Sequence, residues 1–200
     1  MKPDPHFPPI ASSRLLLPSM SLDVMDALQK GDRIGAGRLM ECDIPADVSL
    51  DQLPLAMRLE QLRDDASVQP WLLRGMVERG TGTMIGHIGF HTPPRPEYLA
   101  NIAPDGVELG YTTFPGFRRR GFATEASLAL MFWAFSQHGQ CCFVLSVSPQ
   151  NLASTTMAGS LGFAACGSHV DDEDGVEIEF VRRFETWPAD WKGKMATSTF

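Results

Sequence analysis

A run of three arginines precedes a glycine and a predicted helix, in the stretch Arg118-Arg119-Arg120-Gly121-Phe122-Ala123-Thr124. The first turn of a helix presents unpaired N–H groups and a partial positive charge, so a phosphate group can bind there. Gly121 and Ala123 would let the backbone approach a ligand closely, and the arginines can add charge-assisted hydrogen bonds. The pattern predicts a phosphate-binding loop, and its plainer alternative is a solvated basic loop before a helix.

This loop differs from two common phosphate-binding motifs. It has no Gly-Lys-Ser/Thr to hold β- and γ-phosphates with Mg²⁺, and it lacks the G-x-G-x-x-G of dinucleotide sites. The whole chain carries a formal net charge of -7 at pH 7, which disfavours long-range attraction of nucleic acid. We therefore expect a local anion site and no nucleic-acid partner.

The histidines and cysteines do not show the spacing of a metal site. His87 and His91 are four residues apart on a predicted strand, which separates them by about 13 Å. His91 opens a proline-containing loop and is interpreted as a surface histidine that could contact substrate. The four cysteines form no C-x-x-C pair, so we expect reduced thiols and no bound metal.

Hydrophobic periodicity and turn residues place these side chains on alternating strands and helices. Strands are predicted at residues 14–17, 71–78, 84–91, 107–114, 143–147, 163–166 and 176–184, the last two around an acidic turn at 171–175. Helices are predicted from residue 21 or 23 to 31, at about 50–65, at 121–138 and from 151 or 154 to 162, whereas 33–48 is interpreted as a loop with room for a helical turn. This order indicates an α/β fold with a mixed sheet.

The length of 200 residues suits one domain. Residues 1–12 are proline-rich and predicted to be a flexible segment, residues 13–185 the domain, and residues 186–200 a tail. Trp187 and Trp191 lie in that tail, where they could cover an apolar patch or serve a partner. Without a signal peptide or an apolar stretch of roughly 20 residues, we expect a cytoplasmic protein that does not contact membranes.

Four segments together resemble the GNAT family of N-acetyltransferases. Arg118-x-x-Gly121-x-Ala123 is similar to the family's Arg/Gln-x-x-Gly-x-Gly/Ala motif, and residues 121–126 resemble the branch that acetylates the N-termini of ribosomal proteins. The other three segments follow the family's order along most of the chain. They are residues 13–17, residues 107–111, and Asn151-x-x-Ser154 with Leu161-Gly162-Phe163.

The resemblance implies a mixed, mostly antiparallel sheet with helices on both faces, whose splayed central parallel strands hold acetyl-CoA. By resemblance, the pyrophosphate binds backbone N–H groups from Arg119 to Thr124. Asn151 and Ser154 would face the pantetheine arm, although Asn151 could equally be a helix cap, or both. The coenzyme-binding residues implied in this way are Tyr111, Thr112, Thr113, Arg118, Arg119, Arg120, Gly121, Phe122, Ala123, Thr124, Asn151 and Ser154.

Acetyl transfer to an amine requires a base for the ammonium proton, a donor for the oxyanion and an acid for the thiolate. Glu108 is the candidate base, because it lies on the strand beside the expected thioester, where neighbours could raise its pKa. Its alternative role is that of a structural carboxylate. Ala158 stands where many family members have a tyrosine acid, so Ser148 becomes the candidate acid, with a backbone-bonded serine as the plainer interpretation.

The sequence therefore predicts an N-acetyltransferase in which an amine attacks acetyl-CoA directly in a ternary complex. The alternative is an acetyl-CoA-binding module with weak or lost catalysis. The acceptor is left open among protein N-termini and small amines, since its choice depends on variable loops at 33–48 and 92–105. Family members often dimerise, so a homodimer is compatible with the resemblance.

Overall fold

The computed structural model describes residues 7–171 and 175–192. Its strands are β1 (Ile10–Ala11), β2 (Leu15–Leu17), β3 (Arg74–Glu78), β4 (Thr83–Phe90), β5 (Val107–Thr113), β6 (Cys142–Val147), β7 (Ala164–Asp171) and β8 (Gly175–Arg183). Its helices are α1 (Leu22–Gln29), α2 (Arg33–Met40), α3 (Leu55–Asp64), α4 (Phe122–His138), α5 (Leu152–Ser160) and α6 (Ala189–Lys192). Parts of the predicted flexible segment (1–6), acidic turn (172–174) and tail (193–200) lie outside the described residues.

The strands lie in the order β1-β2-β3-β4-β5-β6-β8-β7. Strands β5 and β6 run parallel, with Val107 opposite Phe143 and Glu108 opposite Val144. The pairs β1–β2, β2–β3, β3–β4, β6–β8 and β7–β8 are antiparallel. The predicted α/β fold with a mixed, mostly antiparallel sheet is confirmed. Over the described residues, no helix combines the length and apolar character that crossing a membrane requires.

Helix α2 occupies a segment for which the sequence analysis expected a loop. It begins after Asp32, whose Oδ1 accepts a hydrogen bond from the Gly35 N–H at 2.8 Å. Gly37 is required by close packing, because a side chain there would lie 2.6 Å from the carbonyl oxygen of Cys42. Gly35 and Gly37 each lower helix propensity by roughly 1 kcal/mol, so the sequence pattern of this segment does not predict a helix.

Backbone contacts divide the chain into two compact units. The described residues of the first are 7–89 and 111–130, so it holds β1 to β3, most of β4, α1 to α3 and the junction of β5 with α4. Its hydrophobic core consists of fully or almost fully buried side chains, including Met20, Met25, Leu59 and Phe114. The predicted phosphate-binding loop belongs to this unit. The prediction of a single domain at 13–185 stays a prediction.

The second unit has an aromatic core. Its described residues are 90–110, 131–171 and 175–192. Trp191 is 0% exposed, and its ring centroid lies 5.4 Å from that of Phe184 and 5.1 Å from that of Trp187. The ring of Phe143 stacks on the ring of Phe184, with the two centroids 5.7 Å apart. Trp191, which the sequence analysis placed in a tail, is therefore part of the core of this unit.

Replacing Trp191 with alanine should destabilise the protein strongly. Removing a fully buried aromatic side chain typically costs about 3–5 kcal/mol, because contacts are lost and a cavity remains. Urea unfolding followed by circular dichroism would measure this change. Leu152→Ala is the control, because the Leu152 side chain in α5 is 73% exposed. If both variants unfold at nearly the wild-type urea concentration, Trp191 is not part of the core.

Candidate active site

The loop between β5 and α4 presents a run of backbone N–H groups without protein partners. Arg119 and Gly121 both adopt left-handed backbone conformations, with φ of 61° and 79°. The first backbone N–H of this region that bonds within the helix is that of Glu125, which donates to the Gly121 carbonyl at 3.1 Å. Among the described residues, the N–H groups of 119–124 have no backbone or side-chain acceptor. This is the arrangement expected for an anion site at a helix N-terminus.

The three arginines of the loop differ in their partners. The Nε–H of Arg118 donates to the Thr113 carbonyl at 2.9 Å. Arg120 forms an ion pair with Glu78, in which Nη2 lies 3.1 Å from Oε1. Arg119 is exposed and forms no ion pair within the part of the chain that the structure describes. Arg119 is thus the arginine of the three whose side chain shows no protein partner in the described structure.

Arg14 supports this loop, although the sequence analysis gave it no role. Its Nε lies 2.6 Å from Oε2 of Glu125, and its Nη1 donates to the Arg120 carbonyl at 3.0 Å. Its guanidinium also covers the ring of Phe122, with Cζ 4.4 Å from the centroid. Phe122 is 1% exposed, so its ring packs inside the protein. Arg14 therefore links the opening strands to the loop.

Glu125 is a buried acidic side chain in the first turn of α4. Its carboxylate is 8% exposed and accepts hydrogen bonds from the Ser12 hydroxyl and the Arg14 N–H, each at 2.7 Å. The partial positive charge of the helix N-terminus also favours an acid here. Because Arg14 neutralises Glu125, this carboxylate does not cancel the attraction of the loop for an anion.

The end of β5 shows a further unsatisfied group. Tyr111, Thr112 and Thr113 are half-buried. The hydroxyl of Thr113 is buried and has no hydrogen-bond partner among the described residues. A buried hydroxyl without a partner costs about 1–3 kcal/mol, so a polar ligand atom at this position would stabilise the structure.

In the second unit, Glu108 lies at the centre of a hydrogen-bonded group. Its side chain is 6% exposed, and Oε2 lies 3.4 Å from Nδ1 of His91. The hydroxyls of Ser146 and Tyr98 also donate to its carboxylate. Burial by itself raises the pKa of Glu108. The hydrogen bonds and the charge of His91 together outweigh burial and lower the pKa to about 2. The expectation that neighbours raise this pKa was wrong, because all three neighbours are donors.

The structure places Ser148 and Asn151 at the end of β6 and the start of α5. The Ser148 carbonyl accepts from the Asn151 N–H at 2.9 Å, and Asn151 Oδ1 accepts from the Ser154 N–H at 3.2 Å. The interpretation of Asn151 as a helix cap is confirmed. Ser148 is half-buried, and it is Ser146, a residue missed by the sequence analysis, that bonds to Glu108.

Nothing in the described part of the chain gathers three or more His, Cys, Asp or Glu side chains as a metal site would. His87 is buried, and its Nε2 lies 2.9 Å from the Gln52 carbonyl oxygen. Burial lowers the pKa of His87 to about 4, so its ring is neutral at physiological pH.

Comparison with known proteins identifies the family of this arrangement. The family model of the acetyltransferase (GNAT) domain matches residues 14–164, which include the loop, Arg14 and Glu108. No curated protein matches the chain significantly. Many solved structures share the fold.

Three acetyltransferases among these structures illustrate the likeness. An acetyltransferase from Agrobacterium tumefaciens is 24% identical, with a TM-score of 0.56, and the match covers 89% of this chain and 95% of that one. The ribosomal-protein-S5-alanine acetyltransferase from Vibrio fischeri is 13% identical, with a TM-score of 0.58 and coverage of 90% and 98%. RimL, a ribosomal L7/L12 α-N-protein acetyltransferase in complex with coenzyme A, is 15% identical, with a TM-score of 0.57 and coverage of 88% and 98%.

The effect of Glu108→Gln on stability should depend on pH. The folded-state pKa of Glu108 is about 2 and its ordinary value is 4.5, so the stabilisation is complete above pH 4.5 and is lost as the pH falls toward 2. We expect the variant to be less stable than wild type by about 1–3 kcal/mol at pH 7. This difference should narrow between pH 4.5 and 2.

Urea unfolding across this pH range would measure the difference. Glu97→Gln is the control, because Glu97 is exposed and its replacement should change stability little at any pH. A gap between wild type and Glu108→Gln that stays constant with pH would contradict the assignment of Glu108 as a hydrogen-bonded carboxylate.

Proposed function

Because the chain belongs to the GNAT acetyltransferase family, we propose that it transfers the acetyl group of acetyl-CoA to an amine. The transfer occurs by direct attack of the amine on the thioester in a ternary complex. The run of unpaired N–H groups at 119–124 is the observation that carries this proposal, because a coenzyme pyrophosphate needs such donors. The match to the family model supports it independently.

The pyrophosphate would bind the backbone N–H groups from Arg119 to Thr124. The exposed Arg119 side chain would add a charge-assisted hydrogen bond, while Arg118 and Arg120 hold the loop in shape through their protein partners. The pantetheine arm would run along Tyr111, Thr112 and Thr113, where the unpaired Thr113 hydroxyl supports a polar contact. Roles for Asn151 and Ser154 toward the coenzyme stay predictions, as does the role of Ser148 as thiolate acid.

The group around Glu108 would serve the acceptor amine. An amine reaches the enzyme mainly as an ammonium ion and must lose a proton before it can attack. With a pKa of about 2, Glu108 is negatively charged at neutral pH and attracts a cationic acceptor. Tyr98, which donates to Glu108, lies in the 92–105 loop, so this loop is placed to influence acceptor choice.

The acceptor class is proposed to be a protein N-terminus or a small-molecule amine. RimL is described as an α-N-protein acetyltransferase and the Vibrio fischeri protein as a ribosomal-protein-S5-alanine acetyltransferase, and a spermidine N-acetyltransferase chimera has the same fold, with a TM-score of 0.57. The fold is therefore compatible with both acceptor classes. A panel that contains peptides with free N-termini and polyamines would separate them.

Acetyl-CoA should raise the melting temperature, because it binds only the folded chain. At 100 times its Kd a ligand adds about 2.7 kcal/mol of stability. In the presence of an accepted amine, free thiol should also be released, which a colorimetric thiol assay would follow. A thermal shift without thiol release from any amine would indicate an acetyl-CoA-binding module instead. The absence of any thermal shift at millimolar acetyl-CoA would contradict both functions.

Gly121→Ala should weaken coenzyme binding beyond its effect on stability. The left-handed φ of 79° makes a side chain unfavourable there, by about 1–2 kcal/mol, and the added methyl group would lie 3.6 Å from Nη2 of Arg14, the residue that supports the loop. Gly31→Ala is a matched control, since Gly31 has φ of 77° with no atom within 4 Å of an added Cβ. Calorimetric titration should show weaker acetyl-CoA binding only for Gly121→Ala. Equal affinities for the two variants would show that the pyrophosphate binds elsewhere.

A further inference from the structure

His91 and Glu108 form a contact in which one partner is buried and the other is accessible. His91 directly follows β4, and its backbone N–H donates to the Glu108 carbonyl at 2.9 Å. The His91 side chain is 41% exposed, whereas that of Glu108 is 6% exposed. Solvent or an acceptor can therefore reach the imidazole far more easily than the carboxylate behind it.

Glu108 is poorly suited to take the proton itself. Its carboxylate already accepts hydrogen bonds from His91, Ser146 and Tyr98, and these donors together with the charge of His91 lower its pKa to about 2 despite burial. A general base works best when its pKa lies near the working pH. Histidine is the side chain whose ordinary titration range lies there.

The contact also sets the orientation of the imidazole ring. Nδ1 faces the carboxylate at 3.4 Å, and from this contact we assign the proton of the neutral ring to Nδ1 and its lone pair to Nε2. Nε2 lies over β5, because a Cβ added to Gly110 would be 2.6 Å from it. Gly110 directly precedes the segment 111–113 that we propose for the coenzyme arm.

From this geometry we propose that His91 is the catalytic base of acetyl transfer and that Glu108 is the residue that positions it. The inference rests on the acetyl transfer proposed above. The acceptor ammonium gives one proton to Nε2 of His91, and its nitrogen lone pair forms a bond to the thioester carbon. The C–S bond breaks, the sulfur takes the electron pair, and the second proton of the nitrogen passes to the thiolate. The exposed imidazolium returns its proton to solvent.

Two single variants and their double variant separate the two roles. His91→Gln should lower kcat by about 10²–10⁴, the usual effect of removing a general base. Glu108→Gln should lower kcat less, because the ring remains. The double variant should be no slower than His91→Gln, since residues that act as a unit are not additive. Coenzyme affinity should be unchanged in all three variants.

His169→Gln is a matched control. His169 is 42% exposed, and its Nδ1 lies 3.3 Å from Oε1 of Glu179 in the β7–β8 pair. It has the same kind of carboxylate partner and a similar exposure but no proposed role. Its replacement should leave kcat at the wild-type level. If His91→Gln also retains wild-type kcat while Glu108→Gln loses it, Glu108 is itself the base and the proposal is wrong.

The pH profile adds a measurement that a structural role would not change. The groups bonded into this centre are His91, Glu108, Tyr98 and Ser146. With two acceptors of different amine pKa, kcat/KM should show one acidic limb that is common to both. That limb should disappear in His91→Gln, and its persistence there would overturn the proposal.

A tautomer measurement distinguishes failure of this inference from failure of the proposed function. ¹⁵N chemical shifts of labelled histidine, recorded where the ring is neutral, report which nitrogen carries the proton. Wild-type His91 should be protonated on Nδ1, and Glu108→Gln should change the tautomer populations. This result needs no turnover, so it holds even if no amine is accepted. Protonation of wild-type His91 on Nε2 would exclude the role of Nε2 as base, whatever the protein acetylates.

Discussion

The first turn of a helix cannot satisfy its own N–H groups, and this constraint governs the organisation around α4. The chain enters the helix through left-handed residues at 119 and 121, so the N–H groups before Glu125 are left without protein acceptors in the described structure. Holding such a loop open requires support from outside it. Arg14 provides that support by bonding to both Glu125 and the Arg120 carbonyl.

Two buried carboxylates are stabilised in different ways, and each suits its surroundings. Glu125 is neutralised by an arginine and lies at a helix N-terminus, so it stabilises the loop without repelling an anion. Among the described residues, the donors to Glu108 are a histidine and two hydroxyls, so no arginine or lysine neutralises it. Burying a charge is costly unless it is paired and hydrogen-bonded, which explains why both are surrounded by donors.

The sequence was sufficient where a feature is contained in consecutive residues. A loop with free N–H groups followed by the long helix α4 could be predicted, because the glycine, the arginines and the helical pattern are adjacent. Arg14 could not be assigned a role, since its contact with Glu125 joins distant segments. Ser146 and Ser148 lie two residues apart, and positions with this spacing share one face of a strand. Because β6 ends at Val147, Ser146 lies within the strand and Ser148 lies beyond it. The sequence pattern alone does not show where the strand ends.

The same reasoning explains the errors in the fold. Helix α2 was missed because Gly37 serves packing against the Cys42 carbonyl, a contact that periodicity does not record. The role of Trp191 depended on the aromatic side chains around it, and Phe143 and Phe184 come from other strands or their ends. The pKa of Glu108 was misjudged because its direction depends on the identity of neighbours that only the register of β4, β5 and β6 brings together.

The ring of His91 and the bare backbone at Gly110 have a consequence for how this protein can evolve. Since a β-carbon at position 110 would lie 2.6 Å from Nε2 of His91, the ring would have to shift, and the two positions are expected to covary among homologues. A lineage that keeps the imidazole in this position is expected to keep glycine on the strand. A lineage that gains a side chain at 110 is expected to move or lose the ring. Coupled change at these positions would therefore mark a change in how the protein handles protons.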